Sequence, residues 1–467
     1  MAKPNLPLIE KLQIVDIASD GKAVGKDGER VIFVPKLVPG DVVDVQLIRK
    51  KKSFFEGVPV KFHDYSEFRT EPFCKHFGSC GGCKWQNMLY EKQLYFKEKQ
   101  VKEQLQRIGN LDFPGPEPIL ASGKIKYYRN KLEYSFSDKA WFEKEDIDSG
   151  KKFEVTKALG FHVPGRFDKV LQVDHCYLQA EPTNAVRNAI HTYAVKHELS
   201  YYNPREHTGL LRNLIIRITR KGEVMVVLVV SEFSEEVKAL LEHIKASFPE
   251  INSLMYIVNN KKNDSIFDLD VTLFAGNPYI RENLDGLDFK IGAKSFFQTN
   301  TWQTEVLYQQ VREMAGINNT HIVYDLYSGT GSLSLYLARD ARKVIGVEIV
   351  EDAVRDARLN AEINGLNNLD FFTGDMKEVV TSPFISQHGR PDVLVLDPPR
   401  AGIHKNVIKV ILQVSPEKII YVSCNPATQA RDLSLMKDNY DIGQVQPVDM
   451  FPHTQHVENI VMLEKKK

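Results

Sequence analysis

Apolar and polar positions alternate with a period of two in four short runs near the start of the chain, Leu12–Ile17, Arg30–Val34, Asp41–Ile48 and Gly57–Phe62, separated by turns such as Val38-Pro39-Gly40. Over residues 8–62 this pattern of half-buried strands predicts a small five-stranded barrel. From about Leu89 to Ile108 the pattern becomes strongly helical, and Gly109 stops it. Residues 121–285 mix strand patterns (Lys131–Ser135, Leu214–Thr219, Val224–Val230) with helical ones (Thr183–His197, Glu235–Ser247), which predicts an α+β domain without fixing its topology. Beyond about Phe289 strands and helices alternate. The strands expected there, His321–Leu326, Val344–Val347, Leu369–Thr373, Val393–Leu396 and Ile419–Val422, belong to a doubly wound parallel sheet, whose ligands sit beyond the carboxyl ends of the strands. The chain is thus read as an α/β multidomain protein, with a barrel at 1–66, a central α+β domain at 67–285 and a Rossmann-like domain at 286–467.

Composition narrows the class. With 467 residues, 43% hydrophobic and 26% charged, the chain can build several cores. The start, Met1-Ala2-Lys3-Pro4-Asn5-Leu6, carries no apolar leader and no 18 apolar residues run together, so the cytoplasm is expected and a membrane is not. Five cysteines are too few for a disulfide scaffold. Sixty-one basic residues balance 61 acidic ones, so a nucleic acid would have to be gripped by local patches rather than by bulk charge. One such patch is Arg49-Lys50-Lys51-Lys52-Ser53-Phe54-Phe55, which suits either phosphates and stacked bases or a solvated hairpin tip.

The expected strand ends carry chemistry. After the first comes Asp325-Leu326-Tyr327-Ser328-Gly329-Thr330-Gly331-Ser332, a turn that lets a ligand approach the backbone, and Glu348 ends the second, where a carboxylate would accept from ribose hydroxyls. Together they specify an adenosine cofactor. Dinucleotide binders pack a third glycine where this chain has Ser334, which favours S-adenosylmethionine. Gly374-Asp375 is placed to meet adenine, and Asp397-Pro398-Pro399-Arg400 is either a stiffened ligand contact or a strand-ending turn. Cys424, in Ser423-Cys424-Asn425-Pro426, has no evident disulfide partner and is a candidate nucleophile, or else a small core residue. A thiol beside a methyl donor suits uracil C5, which becomes nucleophilic only after a thiolate adds at C6. Cys424 would then need activation by local dipoles or cations. A base must also remove the C5 proton: Glu458 is the first candidate, with His453 and His456 as rivals.

These motifs, with Phe296-Phe297-Gln298-Thr299-Asn300 and His456-Val457-Glu458, follow in order and approximate spacing those of the RNA 5-methyluridine (uracil-C5) methyltransferases, which the chain resembles over essentially its whole length. The resemblance is greatest to members acting on 23S ribosomal RNA. It implies Gln298, Tyr327, Glu348 and Asp397, with Ser332 and Asp375 nearby, as S-adenosylmethionine contacts, Cys424 as nucleophile and Glu458 as base. The early cysteines Cys74, Cys80, Cys83 and Cys176 resemble a four-thiolate site for a [4Fe-4S] cluster, although as ligands alone four thiolates also fit zinc. The barrel resembles a TRAM domain, and tRNA-acting members typically lack both barrel and cluster, so the resemblance implies ribosomal RNA, with no DNA and no membrane, bound by a monomer. RNA contacts are expected from Lys50 to Lys52, from Tyr128-Arg129-Asn130-Lys131, and from Arg212 and Arg217. The alternatives are a tRNA uracil-C5 methyltransferase, a base-amino methyltransferase that leaves Cys424 idle, and a non-catalytic RNA-binding assembly factor.

Overall fold

The computed structural model describes residues 6–143, 147–150, 153 and 156–467; Met1–Asn5, read above for the lack of a leader, lie outside them. Strands β1 (Leu8–Ile17), β2 (Ala23–Asp27), β3 (Arg30–Val34), β4 (Val42–Lys50) and β5 (Phe55–Asp64) close into the expected barrel in the order β1-β2-β3-β5-β4. Alternate residues such as Leu12 and Ile14, Ile32 and Val34, and Val43 and Val45 fill its core, as a period of two requires.

Seven strands form the central sheet: β6 (Lys131–Ser137), β7 (Ala158–Val163), β8 (Arg166–Gln172), β9 (Leu211–Ile218), β10 (Val224–Val230), β11 (Ile251–Val258) and β12 (Thr272–Gly276), in the order β12-β11-β10-β9-β6-β7-β8. Helices Thr183–Lys196 and Glu235–Ser247 cover one face, where Val186, Ile190, Val237 and Leu241 meet Ile216 and Leu228. The opposite face, with Ile215, Val227 and Met255, is buried in one core with Phe289, Leu307 and Val323 of the C-terminal part. Every residue of β9 and β10 is consequently buried.

A hairpin of β13 (Ile280–Leu284) and β14 (Leu287–Ile291) leads into the last sheet, built from β15 (Ile322–Leu326), β16 (Lys343–Glu348), β17 (Leu369–Thr373), β18 (Val393–Leu396), β19 (Lys418–Ser423), β20 (Tyr440–Val448) and β21 (Glu458–Lys465). The order is β17-β16-β15-β18-β19-β21-β20, and β15 to β19 are the five expected strands, all parallel. The chain reverses direction of build between β15 and β18, the switch point at which such sheets bind ligands. Strand β21 is inserted antiparallel to both β19 and β20. Its first residues therefore stand beside the carboxyl end of β19. Helix Tyr90–Arg107 precedes the central sheet in sequence but packs on this last one, its Val101 and Leu105 clustering with Tyr421, Ala430 and Leu433. Among the described residues no helix is long and apolar enough to cross a membrane.

Candidate active site

A cavity of about 1220 Å³ opens at the carboxyl ends of the parallel strands, and all eight expected catalytic and cofactor residues line it: Gln298, Tyr327, Ser332, Glu348, Asp375, Asp397, Cys424 and Glu458. The topology explains the convergence. Tyr327, Asp397 and Cys424 each follow the last residue of β15, β18 and β19, Glu348 ends β16, and Asp375 follows β17 by two residues. Glu458 opens β21, whose second residue, Asn459, pairs with Ser423, so the reversed strand brings its carboxyl to the neighbourhood of Cys424.

The glycine turn is held in conformations that few side chains tolerate: φ is +74° at Tyr327, +54° at Gly329 and +80° at Gly331. Glu348 locks it, accepting from the Gly329 N–H at 3.0 Å and, through its other oxygen, from the Val350 N–H at 3.0 Å. The position of the missing third glycine is occupied by the buried Ser334, whose hydroxyl donates to Asp325 on β15. Asp375 caps the short helix that follows it, accepting from the Lys377 N–H at 3.1 Å, and pairs with the Lys377 ammonium at 3.0 Å. Ser332 Oγ lies 2.7 Å from the Tyr308 hydroxyl, a partner the sequence reading did not pick out.

Gln298 comes from the loop 296–300, which three other segments tie down. Thr330 donates its hydroxyl to the Phe296 carbonyl at 2.9 Å, the Asn130 amide donates to the Gln298 carbonyl at 2.8 Å, and the Asn300 amide reaches the Met450 carbonyl at 3.0 Å. Phe296 is exposed at the cavity while Phe297 is buried against Phe289, 5.6 Å between centroids.

Electrostatics in the cavity run against one expectation. Burial, together with the charge of Asp397, pushes Glu458 up to about 8; burial pushes Asp397 to about 7 and, with Asp397 and Glu348 adding to it, Asp325 to about 7. Cys424 was expected to be activated by cations or dipoles. Instead burial, then the charges of Glu458 and Asp397, raise its thiol to about 12, against the opposing pull of Arg400 and of a backbone hydrogen bond. His456, which also lines the cavity, is lowered to about 4 by burial and by Arg400 and Lys84. His453 faces away, toward Gln93 at 3.2 Å.

Three of the expected RNA contacts serve the fold instead. Arg212 and Arg217 are buried, Arg212 donating to the carbonyls of Asn259 (2.7 Å) and Asn263 (3.0 Å) and Arg217 to those of Ala293 and Ser295. Buried backbone carbonyls need donors, and a guanidinium supplies several at once. Tyr128 is buried with its hydroxyl on the Pro452 carbonyl. From that segment Arg129 lines the cavity, its guanidinium over the Phe451 ring at 5.1 Å. Lys50 and Lys52 are exposed at the barrel tip, but Phe54 is half-buried edge-on to Phe33 rather than free to stack.

Cys74, Cys80, Cys83 and Cys176 line a second, small cavity, and all five cysteines are free. Among the described residues no group of three or more His, Cys, Asp or Glu side chains is arranged as a metal site, so the expected cluster finds no direct support in the geometry.

Known proteins share this architecture. The family model of the tRNA (uracil-5-)-methyltransferases matches residues 218–466. An uncharacterized RNA methyltransferase of Bacteroides thetaiotaomicron is 52% identical over 453 residues, covering 96% of this chain and 100% of its own. Another, from Porphyromonas gingivalis, is 47% identical over 462 residues, covering 97% and 99%. The structure of Pyrococcus abyssi tRNA (uracil-54, C5)-methyltransferase in complex with S-adenosyl-L-homocysteine matches with a TM-score of 0.75 at 29% identity, over 97% of this chain and 100% of that one. Coverage that complete takes in the barrel, so a barrel does not by itself separate ribosomal from transfer RNA as target. With the switch-point cavity, the locked glycine turn and relatives matching from end to end, the chain belongs to the RNA uracil-C5 methyltransferase family, whose members are S-adenosylmethionine-dependent enzymes.

Proposed function

We propose that this enzyme methylates C5 of a uridine in 23S ribosomal RNA, in the cytoplasm, through a covalent Cys424 adduct. The observation that supports it most is the meeting of Cys424 and Glu458 at adjacent strand ends in the cavity that also holds Glu348 and Asp397. In this reading Glu348 holds the ribose of S-adenosylmethionine, and Gln298, Tyr327, Ser332, Asp375 and Asp397 make its other contacts. The Cys424 thiolate bonds to C6 of the uracil, and the electron pair released onto C5 displaces the sulfonium methyl, with S-adenosylhomocysteine leaving. Glu458 then takes the C5 proton, the C5=C6 bond re-forms and the thiolate departs. Glu458 suits the role better than His456, because burial makes it the stronger base of the two.

RNA containing 5-fluorouridine tests the chemistry, since fluorine at C5 cannot be removed by a base. Wild type should form a stable protein–RNA adduct; equal trapping by Cys424→Ser would sink the assignment. Glu458→Gln should still form adduct but release methylated RNA slowly. A transfer RNA target is the second reading, favoured by the likeness to the Pyrococcus enzyme. Mapping 5-methyluridine in ribosomal and transfer RNA from cells lacking the gene separates the two.

The four early cysteines would hold a [4Fe-4S] cluster. Four soft sulfur donors line one small cavity, the ligand chemistry such a group takes; burial pushes Cys80 up to about 12 and Cys83 to about 11 despite the Gly82 N–H on Cys80 Sγ at 3.4 Å, so binding would have to displace their protons. A cluster bound there would supply a structural tie between Cys74–Cys83 and Cys176. Iron content and visible absorbance of anaerobically purified protein test this; bound zinc, or no metal at all, would reject it.

A further inference from the structure

Helix Tyr90–Arg107 carries Tyr90, Gln93 and Lys97 at spacings of three and four residues, hence on one face. Gln93 and Lys97 are fully buried, and a buried lysine calls for a partner. This face grips the loop 449–457, which joins β20 to β21. Lys97 Nζ donates to Asp449 Oδ1 at 2.6 Å and to the Phe451 carbonyl at 3.0 Å, and the Tyr90 hydroxyl donates to the other Asp449 oxygen at 2.8 Å. Gln93 accepts from the His453 N–H at 2.8 Å while donating to the carbonyls of Trp85 and Met88, each at 2.9 Å.

The three gripping residues do not line the catalytic cavity, whereas the gripped segment delivers Phe451, His456 and Glu458 to it. Register makes the link close: Val448 is the cross-strand partner of Glu458, and Asp449 is the next residue. The ion pair therefore fixes the hairpin one residue from the partner of the proposed base. Burying two charges is costly, and apolar residues of similar volume commonly hold a fold equally well. What the bonded clamp adds is one defined geometry for the loop.

We propose that Lys97, acting through Asp449, is a positioning residue for removal of the C5 proton by Glu458; this rests on the reaction set out above. Such a role separates two steps that loss of folding would not. The test compares wild type, Lys97→Met, and the charge-balanced double variant Lys97→Met/Asp449→Asn, which leaves no unpaired buried charge. Each is given ribosomal and transfer RNA transcripts made with uridine or 5-fluorouridine. Trapping on the fluorinated RNA should proceed at close to the wild-type rate in both variants. Methylated adduct on uridine RNA should resolve about ten- to a hundred-fold more slowly, the scale of loss expected when a reacting group is displaced by roughly an ångström. Adduct resolution at the wild-type rate, or equal loss of trapping and resolution in both variants, would overturn the clamp. Trapping by Cys424→Ser would instead overturn the reaction, and the role of Lys97 with it.

Discussion

A thiol pushed to about 12 and a carboxyl pushed to about 8 share a cavity with Asp397; burial raises all three, the charge of Asp397 adds to the rise of Glu458, and both carboxylates add to that of Cys424. In this state both Cys424 and Glu458 hold their protons at neutral pH, so neither is yet in the form its proposed role requires. A sulfonium cation bound among these carboxylates would favour their ionised forms and the thiolate alike. Because the base form of Glu458 grows as pH rises through about 8, adduct resolution in single turnovers should accelerate from about pH 6, reach half its limit near pH 8 and level off about one pH unit higher. Glu458→Gln should abolish that dependence, and a flat wild-type profile would count against Glu458 as the base. Stability should run the opposite way. A carboxyl whose folded value lies above its unfolded one stabilises the fold fully at acid pH, and that contribution is lost as pH rises through the folded value. The window for Glu458 is therefore between about 4.5 and about 8. Melting of the ligand-free protein should fall across it, and Glu458→Gln should gain about 2–5 kcal/mol relative to wild type at its alkaline end. Calorimetric melts at several pH values check this.

Among the elements, legibility in the sequence followed how clearly the ends and the order of the strands are marked. The five parallel strands β15 to β19 and the barrel strands β3 and β4 could be read because their ends are marked by glycine, proline or polar residues. The strand order of the central sheet could not be. Strands β9 and β10 are buried on both faces, which erases the alternation that would have said which side faces solvent, and their pairings reach distant strands. Strand β2, Ala-Val-Gly-Lys-Asp, carries too little apolar character to stand out. The cavity residues were legible as strand-end motifs, whereas Tyr308 was not, since it comes from a segment whose own pattern says only helix; Arg129 was expected to meet RNA and lines the same cavity. Arg212 and Arg217 misled because charge suggests solvent, while the backbone carbonyls they satisfy leave no trace in sequence. The glycine turn carries its own prediction. A Cβ at Gly331, besides being strained at φ +80°, would lie 2.9 Å from Ala357 Cβ and 3.0 Å from both Leu335 and Phe371. Gly331→Ala should cost about 1–3 kcal/mol of stability and weaken S-adenosylmethionine binding; calorimetry showing neither change would mean the turn can relax without disturbing the site.

At the scale of the whole molecule, RNA must be recruited by a protein whose 61 cations balance 61 anions. Two of the basic residues first expected to help, Arg212 and Arg217, are spent inside the fold, which leaves exposed groups such as Lys50 and Lys52 at the barrel tip and Arg400 at the cavity. The barrel tip is the better place for a phosphate grip that leaves chemistry alone, because β4 ends there, outside the residues that line the cavity. If Lys50 and Lys52 each contact a phosphate, replacing both with glutamate should weaken RNA binding and reduce the slope of log affinity against log salt by about 1.5–2. Affinity for S-adenosylmethionine and the single-turnover rate at saturating RNA should not change. A salt slope identical to that of wild type would show that the tip is merely solvated, and would move the search for the RNA path to the surface around Arg400 and the exposed Phe296.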